Sequence, residues 1–112
     1  MATGTAKTKY VRISPRKARL AADLIRGKSV IEARAQLAFS PLKGAALLGK
    51  TLRSAEANAL QHAASEREEL RVLEVRVDEG PRLKRSKSRS KGSSVPVVHK
   101  LSHFTIVVGQ GV

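Results

Sequence analysis

Apolar and polar positions along the chain change period twice. Residues 7 to 13 alternate, with Tyr10, Val11 and Ile13 set among Lys7, Lys9 and Arg12, and this predicts a short strand. From Ser14 the apolar spacing lengthens to three and four. Ala18, Ala21, Leu24 and Ile25 share one helical face, and Arg16, Lys17, Arg19 and Arg26 occupy the others. Ser14 is placed to cap free backbone N–H groups, Pro15 suits the first helical position, and Gly27 is a natural stop. Ser29 and Glu32 have capping-box spacing, so a second short helix starts there and ends near Phe39. Ser40-Pro41 repeats the first helix's opening and predicts the longest helix, to about Ala64. Its apolar stripe is Ala45, Leu48, Leu52, Ala55, Ala59 and Ala63. Gly44 and Gly49 each cost that helix about 1 kcal/mol relative to alanine.

Residues 65 to 69 form a polar connection, after which period two returns. Leu70 to Val77 predicts a strand with Leu73, Val75 and Val77 on one face and Glu74 and Arg76 on the other. Asp78-Glu79-Gly80-Pro81 predicts a bend. Phe104 to Val108 is the returning strand, with Phe104, Ile106 and Val108 on one face. The elements add up to one α+β domain over residues 1 to 112: a three-stranded antiparallel sheet packed against three helices. Residues 1 to 6, small and polar, predict a disordered tail.

Between the last two strands lies RLKRSKSRSKGSSVPVVHK, residues 82 to 100. It carries seven bases and no acid: Arg82, Lys84, Arg85, Lys87, Arg89, Lys91 and Lys100. If the flanking strands continue their ladder and turn near Lys91-Gly92-Ser93, the result is a long projecting β-hairpin spanning residues 80 to 103. Arms of about nine residues would reach roughly 30 Å. A two-stranded ribbon of this kind is marginal alone in water, so it is expected to order against a partner.

Charge identifies the kind of partner. The formal net charge is +13, distributed as +7 over residues 1–28, −1 over residues 29–79 and +7 over residues 80–112. Two basic ends around a balanced middle would form a continuous cationic surface if both lie on one face. Unbalanced cations at this density call for a polyanion, and closely spaced phosphates supply one. The first basic group is Lys7, Lys9, Arg12, Arg16, Lys17 and Arg19, partly at a helix N-terminus that opposes cations and favours an anion. Serines 86, 88, 90, 93 and 94 suit sugar and phosphate oxygens, and serve equally well as plain linker residues.

Other classes fit poorly. Cysteine is absent, which removes disulfide and thiolate chemistry and suits a reducing compartment. No apolar run approaches the roughly 20 residues of a bilayer span, and residues 1–10 lack a signal-peptide core. The aromatics Tyr10, Phe39 and Phe104 are too few for a base-stacking platform, which favours folded nucleic acid held by phosphate and shape. Ser102 and His103, adjacent on a strand, point to opposite faces and cannot act as nucleophile and base. His62, His99 and His103 lack metal-ligand spacing, and Asp78-Glu79 reads as a turn. No cofactor, metal, membrane or second copy of the chain is expected as a partner. Charge alone leaves a nucleoid-type DNA-binding protein as the alternative.

The segments VRISPRKARLAADLIRG, LRSAEANAL, VDEGPRLKR, RSKG and SHFTIVV, in that order over about residues 9 to 108, closely resemble the family of the bacterial-type large ribosomal subunit protein number twenty-two. The resemblance implies an α+β body near the exit of the nascent-peptide tunnel. It also implies a hairpin threaded through large-subunit (23S-type) rRNA, whose tip helps line the tunnel, and a part in subunit assembly. The implied partners are that rRNA, neighbouring large-subunit proteins and the nascent polypeptide, in a cytoplasmic or organellar ribosome. Ser14, Pro15, Arg16, Lys17 and Arg19 match a stretch that meets RNA in the family. Gly80 and Pro81 match the hairpin hinge, Leu83, Lys84 and Arg85 the start of the arm, and Arg89, Lys91 and Gly92 the tip. The tip as a whole spans Ser88, Arg89, Ser90, Lys91, Gly92 and Ser93. Ser88, Ser90 and Ser93 stand where the family more often has proline, alanine and arginine, which implies a softer tip.

Overall fold

The structure, a computed structural model, describes residues 3–62, 70–88 and 94–110. The elements run β1 (Thr3–Val11), α1 (Pro15–Asp23), α2 (Val30–Phe39), α3 (Lys43–His62), β2 (Leu70–Ser88) and β3 (Ser94–Gln110). β3 is central, antiparallel to both neighbours, in the order β1-β3-β2. The α+β class, the three helices and the three-stranded antiparallel sheet are as the pattern predicts.

Local signals set most helix ends. Ser14, in extended conformation, accepts the Lys17 N–H, and Pro15 opens α1. Its last turn tightens through Leu24 N–H to Ala21 O and Ile25 N–H to Ala22 O, and Gly27 follows at φ +76°. Ser29 accepts the Glu32 N–H and opens α2. The Ser40-Pro41 expectation is corrected. Ser40 Oγ accepts from Leu42 N–H, two residues on, which closes a local turn, and α3 begins at Lys43. Along α3 the stripe Ala45, Leu48, Leu52, Ala55 and Ala59 is fully buried, whereas Ala63 and the connection to β2 lie outside the described residues.

Three strand expectations also change. β1 starts at Thr3, not Lys7, so residues 3 to 6 belong to the sheet and not to a tail; Met1 and Ala2 lie outside the described residues. Gly4 and Ala6 are buried against α3, with Asn58 Nδ2 donating to Thr5 O at 2.9 Å and Thr8 bonded to Thr51 through their hydroxyls at 2.8 Å. Leu73 is exposed, not inward. The β2–β3 register shifts between Val72 and Glu74, and the extra residue reverses the alternation. The inward residues of β2 are therefore Leu70, Val72, Val75 and Val77. Finally, residues 78 to 81 do not end the strand. Gly80 and Pro81 together oppose Leu101 alone, as a bulge within one continuous β2. Gly80 has a steric reason to be glycine, since a Cβ there would come 3.1 Å from Leu101 O.

The core gathers Phe104, Ile106 and Val108 of β3 with Ile25, Val30, Leu48 and Leu52 of the helical layer. On the open edge of β2, α1 and its exit close the strand. Arg19 donates to Val77 O and Arg26 to Val75 O, each at 3.1 Å, and Val72 N–H donates to Lys28 O at 2.9 Å. An edge so occupied is a poor template for further strand pairing.

Beyond the Gly80-Pro81 bulge the ladder continues from the Arg82–Lys100 pair to the Ser88–Ser94 pair. The expected turn residues, Arg89 to Ser93, lie outside the described residues. The molecule measures 64 × 24 × 17 Å with a radius of gyration of 17.1 Å. A compact chain of this length would have a radius near ~13 Å. The excess places the ribbon away from the body.

Candidate nucleic-acid interface

The predicted basic residues are exposed wherever their side chains are described: Lys7, Lys9, Arg12, Arg16, Lys17, Arg19, Arg82 and Lys100. They do not form one patch. Lys7 lies across Thr105 from Arg76 in the sheet register. Arg19 spends its guanidinium partly on Val77 O, so it also braces the sheet edge. Arg12 and Lys17, by contrast, meet Lys100 around a surface cavity of about 500 Å³.

Lys17 and Leu20 of α1 and three further parts of the fold build that cavity. The β1–α1 junction is anchored by Ser102 Oγ, buried, donating to Ile13 O at 2.7 Å. The α3 N-terminus contributes Lys43, whose Nζ donates to Arg12 O at 3.3 Å. The hairpin base contributes Lys100, paired across the ladder with Arg82. Arg12, Lys17, Lys43 and Lys100 thus line one concavity with no carboxylate among the described residues of its walls. Lys43 was not among the sequence candidates because it falls in the charge-balanced middle. A signal existed, since a lysine in the first turn of a helix with no acid there opposes the helix dipole.

Tyr10 was also missed. It interrupts the β1–β3 register between Thr8 and Val11 with φ +59°, a strained conformation for a side chain this large. His103 holds it: Nδ1 accepts the Tyr10 N–H at 3.1 Å, and the rings meet edge to face with centroids 5.1 Å apart. Ser102 and His103 are therefore committed to different partners on different faces. Among the described residues, no group of three or more His, Asp or Glu is placed to hold a metal ion, and no helix is long and apolar enough to cross a membrane. The arms carrying Lys84, Arg85 and Lys87 are described by backbone pairing, while Arg89 and Lys91 lie outside the described residues.

Known proteins supply the deciding observation. The sequence profile of the family described as ribosomal protein L22p/L17e matches residues 6–109. The chain belongs to this family. It is 56% identical over 108 residues to the large ribosomal subunit protein uL22 of Protochlamydia amoebophila, covering 96% of this chain and 97% of that one. Identity to the uL22 proteins of Chlamydia trachomatis serovar L2 and Chlamydia abortus is 51% and 52%, each over 94% of this chain and 95% of the relative. The chain is thus a structural constituent of the large ribosomal subunit and not an enzyme.

Proposed function

We propose that the protein binds large-subunit (23S-type) rRNA along a surface running from the β1–α1 junction through the hairpin base and out along the hairpin. The carrying observation is the meeting of Arg12, Lys17, Lys43 and Lys100 around one cavity, with Lys100 opposite Arg82 at the foot of the ribbon. The two basic ends of the chain adjoin there. Arg12, Ser14, Arg16 and Lys17 position the body on phosphates, and Lys7, Lys9 and Arg19 flank them. Arg82, Lys84, Arg85, Lys87, Arg89, Lys91 and Lys100 follow an RNA path, arginines by two-pronged contacts and lysines as point charges. The Gly80-Pro81 bulge serves as the hinge that aims the ribbon. The tip, residues 88 to 93, helps line the nascent-peptide tunnel, and clamping distant RNA segments assists assembly of the subunit. Its other partners are neighbouring large-subunit proteins and the nascent chain, in the ribosome of a bacterial-type cytoplasm. The molecule's elongation, 64 Å against 24 and 17 Å across, supports this reading, because a compact body alone would not reach deep into RNA.

The test is reconstitution. Labelled protein added to large-subunit particles depleted of their family member is expected to sediment with the large subunit after DNase treatment. Release by DNase with no large-subunit association would favour a nucleoid-type protein instead.

A further inference from the structure

We infer that the cavity between the β1–α1 junction, the α3 N-terminus and the hairpin base is a receptor for a single unstacked nucleotide of the rRNA. This rests on the rRNA-binding reading and sharpens one part of it. A site meant only for backbone phosphate needs cations and little else. This one combines its four cations with an apolar interior and lip. Ile13 and Leu101 are nearly buried at 7% and 6% exposure, while Leu20 and Leu42 stand at the opening at 58% and 40%. Two exposed leucines lining the same concavity as Arg12, Lys17, Lys43 and Lys100 are a poor arrangement for a surface facing only water or only phosphate.

A nucleotide matches both halves. Its base offers flat apolar faces to Leu20 and Leu42, and its own and flanking phosphates meet the cations. The volume of about 500 Å³ suits it as well, lying within the roughly 300–1,000 Å³ typical of small-ligand sites and exceeding what a lone phosphate would fill. The rim is also anchored: Ser102 Oγ donates to the Ile13 carbonyl, and Lys43 Nζ donates to the Arg12 carbonyl. Single-stranded or bulged RNA is where an unstacked base is available. The site therefore selects a bulge or loop nucleotide and adds a base contact to phosphate contacts, which position the body but carry no sequence information.

The leucines separate this role from general electrostatics because replacing them leaves every charge in place. Leu20→Asn and Leu42→Asn are both made at exposed positions, and urea unfolding checks that the fold is retained. Each variant is expected to bind a large-subunit rRNA fragment about tenfold more weakly, through loss of one leucine's apolar contact with the base. The slope of log K against log salt should stay unchanged, and one unpaired base protected by the unaltered protein in chemical footprinting should be lost. Leu20→Met should retain that protection. Asparagine variants that bind within about twofold of the unaltered protein, with the footprint intact, would overturn the inference. Micromolar binding of free nucleoside monophosphates by the unaltered protein, with rRNA affinity indifferent to both leucines, would also overturn it and point to a free-nucleotide site. If the unaltered protein fails to bind rRNA at all, the broader function fails; if it binds and only the leucine variants are without effect, the receptor site alone fails.

Discussion

Gly4→Ala is expected to destabilise the body by at least about 3 kcal/mol, the upper end of ordinary overpacking. A Cβ built on Gly4 falls inside the backbone of α3, against Ala59 N, Ala55 O and Ala59 Cα. Helix backbone, here in the C-terminal half of the 20-residue α3, cannot step aside as a flexible side chain would. β1 must either lift off α3, abandoning the Thr5–Asn58 and Thr8–Thr51 bonds, or lose its pairing with β3. Total stabilities of small domains run about 5–15 kcal/mol, so the loss threatens the fold. Gly49→Ala is the matched control. It lies within α3 with nothing within 4 Å of the added methyl, so it should stabilise by about 0.5–1 kcal/mol through helix propensity. Urea unfolding of the two variants reads both signs; equal midpoints would contradict the packing described.

That glycine marks the limit of what the sequence discloses. Alternation and three-four spacing predict the elements because burial imposes those periods, and the α3 stripe, the β3 face and two serine caps follow accordingly. Failures occur where a nonlocal fact overrides the local signal. Residues 3 to 6 look like a tail because nothing in TGTA announces that α3 will lie across it. Leu73 looks inward because a bulge is set by the partner strand's register. Ser40-Pro41 imitates the Ser14-Pro15 opening but closes a turn. For the interface, residue type exposes the charge, and only topology brings Lys43 to Arg12 or sends Arg19 to the sheet edge.

Deleting residues 84 to 94 is expected to leave the body folded and to collapse its hold on RNA. The core draws its β2 and β3 members from residues 70–77 and 104–108, all outside the deleted segment. The deletion removes Lys84, Arg85, Lys87, Arg89 and Lys91. Each phosphate contact contributes roughly 0.7–0.9 to the salt slope, so if all five are engaged the slope falls by about 4 and affinity at 0.15 M salt by about 10³. Binding curves at several salt concentrations measure both. A slope unchanged by the deletion would show that the ribbon does not carry phosphate contacts.

The central claim, that the body rests on rRNA while the ribbon reaches inward to the peptide path, is tested most directly by site-specific crosslinking in intact translating large subunits. A photoreactive group is placed at Lys17 on the body and, separately, at Lys91 in the tip. The Lys17 probe should crosslink rRNA alone, and the Lys91 probe should crosslink both rRNA and nascent polypeptide. A Lys91 probe that reaches only neighbouring surface proteins or solvent, with no crosslink to RNA or nascent chain, would contradict the account.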